Sequence, residues 1–311
     1  MRILVTTDFS TSADNARALV AGLDLPAGSV IRLVHVIEPM PDIAALVPMA
    51  IATIAEAAES ETQAELDKIA PTLRAAGREV QTAIRIGRAA DEIIAEAEAF
   101  APELIVIGSR GRGGAASAVL GSVSAEIVDR ASCPVLVARR PALARIVLAD
   151  DGSDSAAIGA RLVTDLPALR RLPVRVVSVV DAPFPYSIAN ADEALGAYSA
   201  IRAYYDSLPI LRETHERIAR DRAHRLSDTG LPATSEVREG DAALQLVEAA
   251  EDARADCIVV GSHGRTGFRR FVLGSVARGV LFHAKCSVLV TKMTAVKPAE
   301  TPTKELVTAG R

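Results

Sequence analysis

Tryptophan is absent from this chain, and aromatic residues make up only 3% of it. A core without large rings must be filled by Val, Ile, Leu and Ala, which suits parallel strands covered by helices on both faces. Only three cysteines occur, Cys133, Cys257 and Cys286, each in or beside an apolar strand-like run and none in a Cys-x-x-Cys pair. Buried free thiols are therefore expected, not a metal or redox centre. No apolar run reaches the roughly 18 residues of a membrane span, and Met1-Arg2-Ile3-Leu4-Val5 leads straight into Thr6-Thr7-Asp8 without the apolar segment of a signal peptide. A cytoplasmic location is the resulting expectation. Charge of one sign is lacking too: the net charge is −4 and basic residues alternate with acidic ones. Neither a nucleic acid nor a membrane is expected as a partner. Nor does Gly-x₄-Gly-Lys-Ser/Thr occur, which excludes a P-loop ATPase.

What the chain does contain is a duplication. Its 311 residues suit about two domains of ~150 residues each. Arg2–Ser10 answers to Arg145–Ser153, with Asp8 and Asp151 offset by 143 positions. Further on, Gly108-Ser109-Arg110-Gly111 answers to Gly261-Ser262-His263-Gly264, and Leu120-Gly121-Ser122-Val123 to Leu273-Gly274-Ser275-Val276, now offset by 153 positions. The second copy thus holds about ten additional residues, around the segment Asp181–Asp228 that carries the tyrosines.

Each copy alternates strand and helix patterns. In the first, Ile3–Thr7 is a continuous apolar strand. Ser10 or Ser12 is placed to cap a helix whose Ala16, Leu19, Val20 and Leu23 recur at helical spacing. Val30–Ile37 is the second strand, followed by an Ala/Glu-rich helix over roughly 47–76 and an alternating strand over Val80–Ile86. Then come a helix over Ala89–Phe100, a strand over Leu104–Ile107, a helix over Ser122–Ala131 and a last strand over Val135–Ala138. This order predicts an α/β chain of two repeated doubly wound domains, each a five-stranded parallel sheet with helices on both faces. The domains are placed at residues 1–140 and 143–293, around a linker at Ala138–Ala142. Residues 294–311, rich in Pro, Thr and Lys, read as a disordered tail.

The chemistry is expected in one loop. Gly108-x-x-Gly111, nine residues, then Gly121-Ser122 recurs as Gly261-x-x-Gly264, nine residues, then Gly274-Ser275. The first glycine would clear space for a ligand at the sheet edge, and the second would take the positive φ that turns backbone N–H groups inward. The distal Gly-Ser opens a helix at Val123 or Val276, offering amides, a hydroxyl and the positive end of the dipole: an anion site without lysine. Asp8 and Asp151 end the first strands, beside the switch point of such a sheet. A carboxylate there can hold a ribose or adenine edge, or take part in binding Mg²⁺. One Gly-x-x-Gly is commonly a plain turn. Two copies at identical spacing weaken that reading, although duplication alone also preserves a turn.

Other patterns carry less. Gly111-Arg112-Gly113-x-x-Ala116 is no dinucleotide fingerprint, since Thr266 stands opposite Gly113 and the motif lies about a hundred residues past the first strand. His35 falls inside a strand and reads as a core or edge residue, with Ser178 opposite it in copy two; His263 reads as a polar loop residue. No Ser–His–Asp grouping repeats between the copies, so nucleophilic catalysis has no support.

These motifs together resemble the universal stress protein family, each copy looking like one of its domains. The resemblance rests on the Gly-2x-Gly-9x-Gly-Ser loop, present twice, on Thr7-Asp8-Phe9-Ser10 and Asp151-Gly152-Ser153, and on Cys133-Pro134-Val135-Leu136-Val137. It implies an adenine nucleotide alpha hydrolase-like fold and the family's ATP-binding subclass, with Mg²⁺ accompanying the ATP and no metal ligands assigned. Adenine and ribose would lie against Asp8 and Val36, and against Asp151 and Val179. Thr7, Phe9, Ser10, Gly152 and Ser153 are candidates in the same turns. Phosphates would meet Gly108, Ser109, Gly111, Gly121, Ser122, Val123 and Ser124, then Gly261, Ser262, Gly264, Gly274, Ser275 and Val276. Val135–Ala138 and Val288–Thr291 would dock the copies across a pseudo-twofold axis, and a homodimer of tandem chains is implied as well. The implied role is a nucleotide-responsive regulator of the stress response acting on an unidentified protein partner. A slow ATPase or nucleotide hydrolase, or a scaffold whose loops are only turns, are the alternatives.

Three departures stand out. Ala277 replaces Ser124, removing one expected phosphate contact worth about 1 kcal/mol. Asp150 opposite Thr7 adds a negative charge beside an anionic ligand unless a cation intervenes. Ser287 replaces Pro134, expected to be a difference in strand entry alone.

Overall fold

A computed structural model describes residues 1–39, 48–74, 77–111, 120–181, 194–262 and 273–292. In copy one, β1 (Arg2–Thr6), α1 (Thr11–Gly22), β2 (Val30–Ile37), α2 (Pro48–Ile69), β3 (Glu79–Ile86), α3 (Ala89–Phe100), β4 (Leu104–Gly108), α4 (Ser122–Arg130) and β5 (Val135–Ala138) follow one another. Copy two repeats the order with β6 (Ile146–Ala149), α5 (Asp154–Asp165), β7 (Val174–Val180), α6 (Ala194–Asp228), β8 (Ala233–Glu239), α7 (Ala242–Asp252), β9 (Cys257–Gly261), α8 (Ser275–His283) and β10 (Ser287–Thr291). The Ala/Glu-rich helix is shorter than its composition suggests. It ends at Ile69, and Ala70–Leu73 tighten into a 3₁₀ turn around Pro71, whose ring nitrogen cannot donate to the helical ladder. The tail at 294–311 lies outside the described residues.

The strands form one sheet in the order β3-β2-β1-β4-β5-β10-β9-β6-β7-β8. Pairs within each copy are parallel. Between the copies β5 and β10 run antiparallel, with Val137 opposite Val288, Leu136 opposite Leu289 and Val135 opposite Val290. Two five-stranded sheets are thus edges of a single ten-stranded one. Because β10 runs against β5, the carboxyl ends of the strands point in opposite directions in the two copies. Gly108 at the end of β4 and Gly261 at the end of β9 therefore lie toward opposite ends of the sheet's strands.

Burial follows from this layering. Ile3, Leu4 and Val5 of β1 are fully buried, as are Val135 and Val137 of β5. Leu4, Ile105, Ile107 and Val137 pack on one side with Ile93 and Ile127, while Ile3, Val5 and Val106 pack on the other with Leu19 and Val20 of α1. Successive residues thus serve opposite faces, and apolar runs without alternation are what a strand covered twice requires.

The segment between copies is held in place. Ser287 is fully buried, and its Oγ accepts the N–H groups of Arg139 and Arg140 at 3.1 and 3.2 Å. The Arg139 guanidinium donates to the carbonyls of Cys286 at 3.2 Å and Leu281 at 2.7 Å. Ser287 is therefore more than a variation in strand entry: its hydroxyl clamps the linker onto the seam.

Candidate functional site

Copy one ends β1 in a tight polar turn. The Thr7 N–H donates to Val34 O at 2.9 Å, carrying the strand pairing up to the turn. Thr7 Oγ1 accepts the Phe9 N–H at 3.1 Å, and Asp8 Oδ1 accepts the Ser10 N–H at 3.1 Å and the Ser10 hydroxyl at 2.6 Å. Ser10 Oγ then accepts the Ala13 N–H at 3.3 Å as N-cap of α1. Short polar side chains that bond the backbone two or three residues ahead are what this reversal needs. It holds Phe9 in the left-handed region at φ +61°, with its ring centroid 4.7 Å from that of His35. The His35 Nδ1–H donates to the Thr7 carbonyl at 2.7 Å, which fixes the orientation of the imidazole.

The glycine loop docks on this turn. Ser12 Oγ accepts the Arg110 N–H at 3.1 Å and lies 3.2 Å from Ser109 Oγ. The Gly121 N–H donates to Ser109 O at 2.7 Å, so the bend and the start of α4 converge. α4 begins at Ser122, the first residue of the expected span Ser122–Ala131, and its N-cap Gly121 makes no side-chain cap. A helix start left uncapped by its own residue offers its first amides, and the dipole end, to whatever occupies the space in front.

Three residues act differently from the expectation. Gly108 does not clear a path for a ligand. A Cβ there would stand 2.8 Å from the Ser12 carbonyl carbon and 2.9 Å from Ala13 N and Ser12 O, so this glycine lets β4 approach the backbone of α1. Gly111 is not in the left-handed region; what its missing Cβ provides is room for Asp8, whose Oδ2 would lie 2.8 Å away. Ser124 is buried, and its hydroxyl donates to Gly108 O at 2.8 Å. That hydroxyl straps helix to strand instead of reaching a phosphate, so what Ala277 lacks in copy two is the strap.

Together these parts border a cleft of about 800 Å³, within the range of roughly 300–1,000 Å³ usual for small-molecule sites. Thr7, Asp8, Phe9, Val36, Gly108, Gly111, Gly121, Ser122, Val123 and Ser124 line it. Ser10 and Ser109 stand behind it in the turn hydrogen bonds. The opposite wall comes from Ala58, Glu61, Thr62 and Glu65 of α2, with His35, Glu38 and Arg110 at other points of the lining.

Copy two builds the same turn. Asp150 Oδ1 accepts the Gly152 N–H at 2.8 Å, Asp151 Oδ1 the Ser153 N–H at 3.0 Å, and Ser153 Oγ the Ala156 N–H at 3.2 Å. Gly152, at φ +80°, holds the place of Phe9, and the Gly274 N–H donates to Ser262 O at 2.8 Å. The negative charge of Asp150 does meet a cation: Arg222 Nε of α6 lies 2.5 Å from its Oδ2. The cleft here is about 220 Å³, lined among others by Asp150, Asp151, Ser153, Val179, Gly261, Gly274, Ser275 and Val276. Gly152 and Ser262 are not among its lining residues, and His263 and Gly264 lie outside the described residues. Among the described residues, no three His, Cys, Asp or Glu side chains are placed to hold a metal ion, and no helix is long and apolar enough to cross a membrane.

The α2 wall escapes a reading based on motifs: Ala58, Glu61, Thr62 and Glu65 share one helix face at the spacing i, i+3, i+4, i+7, but every helix face has that spacing and it marks no ligand. A signal exists in the repeat itself. Thr62 and His215, Glu65 and Ile218, and Ile69 and Arg222 hold equivalent positions yet differ in chemical kind.

The profile of the universal stress protein family matches residues 1–139 and again 143–292. A universal stress protein of Mycobacterium tuberculosis is 28% identical over 204 residues, 61% of this chain, and the match covers 62% of that relative's length. One from Mycolicibacterium smegmatis is 28% identical over 306 residues, 93% of this chain and 96% of that protein. The crystal structure of a universal stress protein from Archaeoglobus fulgidus superposes with a TM-score of 0.63 at 19% identity, covering 94% of this chain and 98% of its own; at that identity it speaks for the fold. By its sequence, twice over, and by its architecture, this chain belongs to the universal stress protein family.

Proposed function

We propose that the chain is a nucleotide-responsive regulator in the stress response, taking an adenine nucleotide, ATP with Mg²⁺, in the cleft of copy one. The observation that carries this reading is the convergence of an uncapped helix start, Gly121-Ser122, with the Asp8 turn and the Gly108–Gly111 bend around a nucleotide-sized space. The phosphates lie before the amides of α4, whose dipole favours negative charge. Asp8 and Val36 meet the ribose and base. No cage of three carboxylate or imidazole ligands stands among the described residues, so Mg²⁺ enters on the phosphates, as is common for that ion, and offsets the carboxylates of Asp8 and Glu61. Occupancy then alters conformation or partner choice.

Calorimetry on purified, nucleotide-stripped protein tests this. Saturable binding of ATP with Mg²⁺ is expected, and no heat of binding at millimolar ligand ends the proposal.

A further inference from the structure

We infer that each chain takes a single nucleotide, because helix α6 of copy two occupies the part of its own cleft that copy one leaves open. This rests on the nucleotide reading above and adds which residues decide it. Three pairs of equivalent positions carry the argument.

In copy one the turn and strand supply the bulk: Phe9 and His35 stand at the strand ends, while α2 contributes Thr62 and Glu65 to the cleft wall. Copy two inverts this arrangement. Gly152 and Ser178 stand at the strand ends, and α6 supplies the larger groups. The Ser178 hydroxyl donates to Asp150 O at 2.5 Å and meets His215 Nδ1 at 2.8 Å, both buried. Its single proton goes to the carbonyl, so the imidazole donates to Ser178. The imidazole that β2 provides in copy one thus arrives in copy two from the facing helix. Ile218 covers Gly152 so closely that a Cβ there would lie 3.1 Å from its Cδ1. Arg222 closes the set by pairing with Asp150, whose side chain is 1% exposed.

These contacts dock α6 on the carboxyl ends of β6 and β7, whereas at the equivalent positions of α2 Thr62 and Glu65 face the open cleft. Residues of α2 line the open cleft, and among the described residues none of α6 lines the smaller one. What is left, about 220 Å³, falls below the roughly 300 Å³ at which small-molecule sites begin. The amide-bearing start of α8 survives, but the space for a base and ribose does not.

The test is stoichiometry on the full chain. Calorimetry with ATP and Mg²⁺ is expected to return one site per chain. Gly121→Asp, which places a carboxylate before the start of α4 at backbone angles of φ −77° and ψ 155° open to any residue, is expected to melt with the parent and lose all binding. Gly274→Asp is expected to leave the single site intact. Two sites in the parent, or half the binding surviving Gly121→Asp, overturns this inference while the nucleotide reading stands. No binding by the parent overturns the nucleotide reading, and this inference falls with it. As a gain-of-function arm, His215→Thr with Ile218→Glu imports the residues of positions 62 and 65. A second, weaker site in that variant supports the assignment, and a folded variant that remains at one site assigns the closure to other residues and overturns it.

Discussion

Gly108 and Gly111 belong to one motif, yet alanine at each has a different effect. At Gly108 the new methyl group meets three backbone atoms of α1 at 2.8–2.9 Å, well inside the roughly 3.5–4.0 Å of a relaxed carbon contact. Backbone cannot rotate aside, so β4 and α1 must separate by several tenths of an ångström. Such overpacking costs about 1–3 kcal/mol, offset by about 0.4–1 kcal/mol because the unfolded chain loses freedom. Three backbone contacts under 3 Å put this site in the upper half of the overpacking range, so the net destabilisation is about 1–2.5 kcal/mol. That lowers the melting temperature by about 2–10 °C at about 2–4 °C per kcal/mol. At Gly111 the methyl meets only Asp8 Oδ2, the end of a side chain. Asp8 turns away, melting changes by less than about 2 °C, and ATP binding weakens about tenfold through a lost charged contact of about 1.4 kcal/mol. Differential scanning calorimetry and titration calorimetry read the two effects separately. The reasoning is refuted if Gly108→Ala melts with the parent, or if Gly111→Ala melts below it.

Arg222→Ile is expected to cost about 3–5 kcal/mol by stranding the buried Asp150 carboxylate; adding Asp150→Thr, which restores the copy-one pair, recovers most of that loss in urea unfolding. Burial opposes ionisation of Glu96, but hydrogen bonds from Arg32 and Arg85 outweigh it and hold the carboxyl below its ordinary range. The stability this supplies is present in full above about pH 4.3 and is lost as pH falls through the lowered folded value. Glu96→Gln is therefore less stable by about 1.5–3 kcal/mol at pH 7, and its deficit shrinks in acid; a deficit that is flat from pH 7 to 3 would contradict the assignment. Cys133, Cys257 and Cys286 are buried, and burial raises all three thiols, Cys133 and Cys286 to about 11. No thiol is expected to react with Ellman's reagent at pH 8 before denaturation, and three after it.

Strand and helix positions were legible where a single segment decides them. The spans of β2, β5 and α3 follow from local patterns bounded by turn residues: β5 is an uninterrupted apolar run buried throughout, β2 an apolar run broken at Arg32 and His35, and α3 a helix with Ile93, Ile94, Ala97 and Phe100 on one face. The Gly-Ser helix starts were visible for the same reason: a cap is local. Contacts between distant segments were not. Nothing near Gly108 announces that the backbone of Ser12 and Ala13 lies against it, and nothing near Asp150 announces Arg222, 72 positions on. Composition also overstated α2, whose last turns are governed by Pro71. The small cleft of copy two lay furthest from view, because three residues on one helix close it and each is ordinary by itself.

The register at the seam has a further side. Leu136 faces Leu289, its own counterpart in the other half, and Val135 and Val137 face Val290 and Val288. The strand register alone does not choose which half it joins, but the Ser287 clamp on Arg139 and Arg140 and the Arg278–Asp129 pair form only between unlike halves. Halves severed near Pro141 would therefore favour first with second while retaining a weaker pairing of like with like. The short tether from Arg139 to Ala142 removes that choice by holding the unlike mate at millimolar effective concentration. Its service is to selection: every assembled molecule carries one open half and one filled half, in fixed proportion.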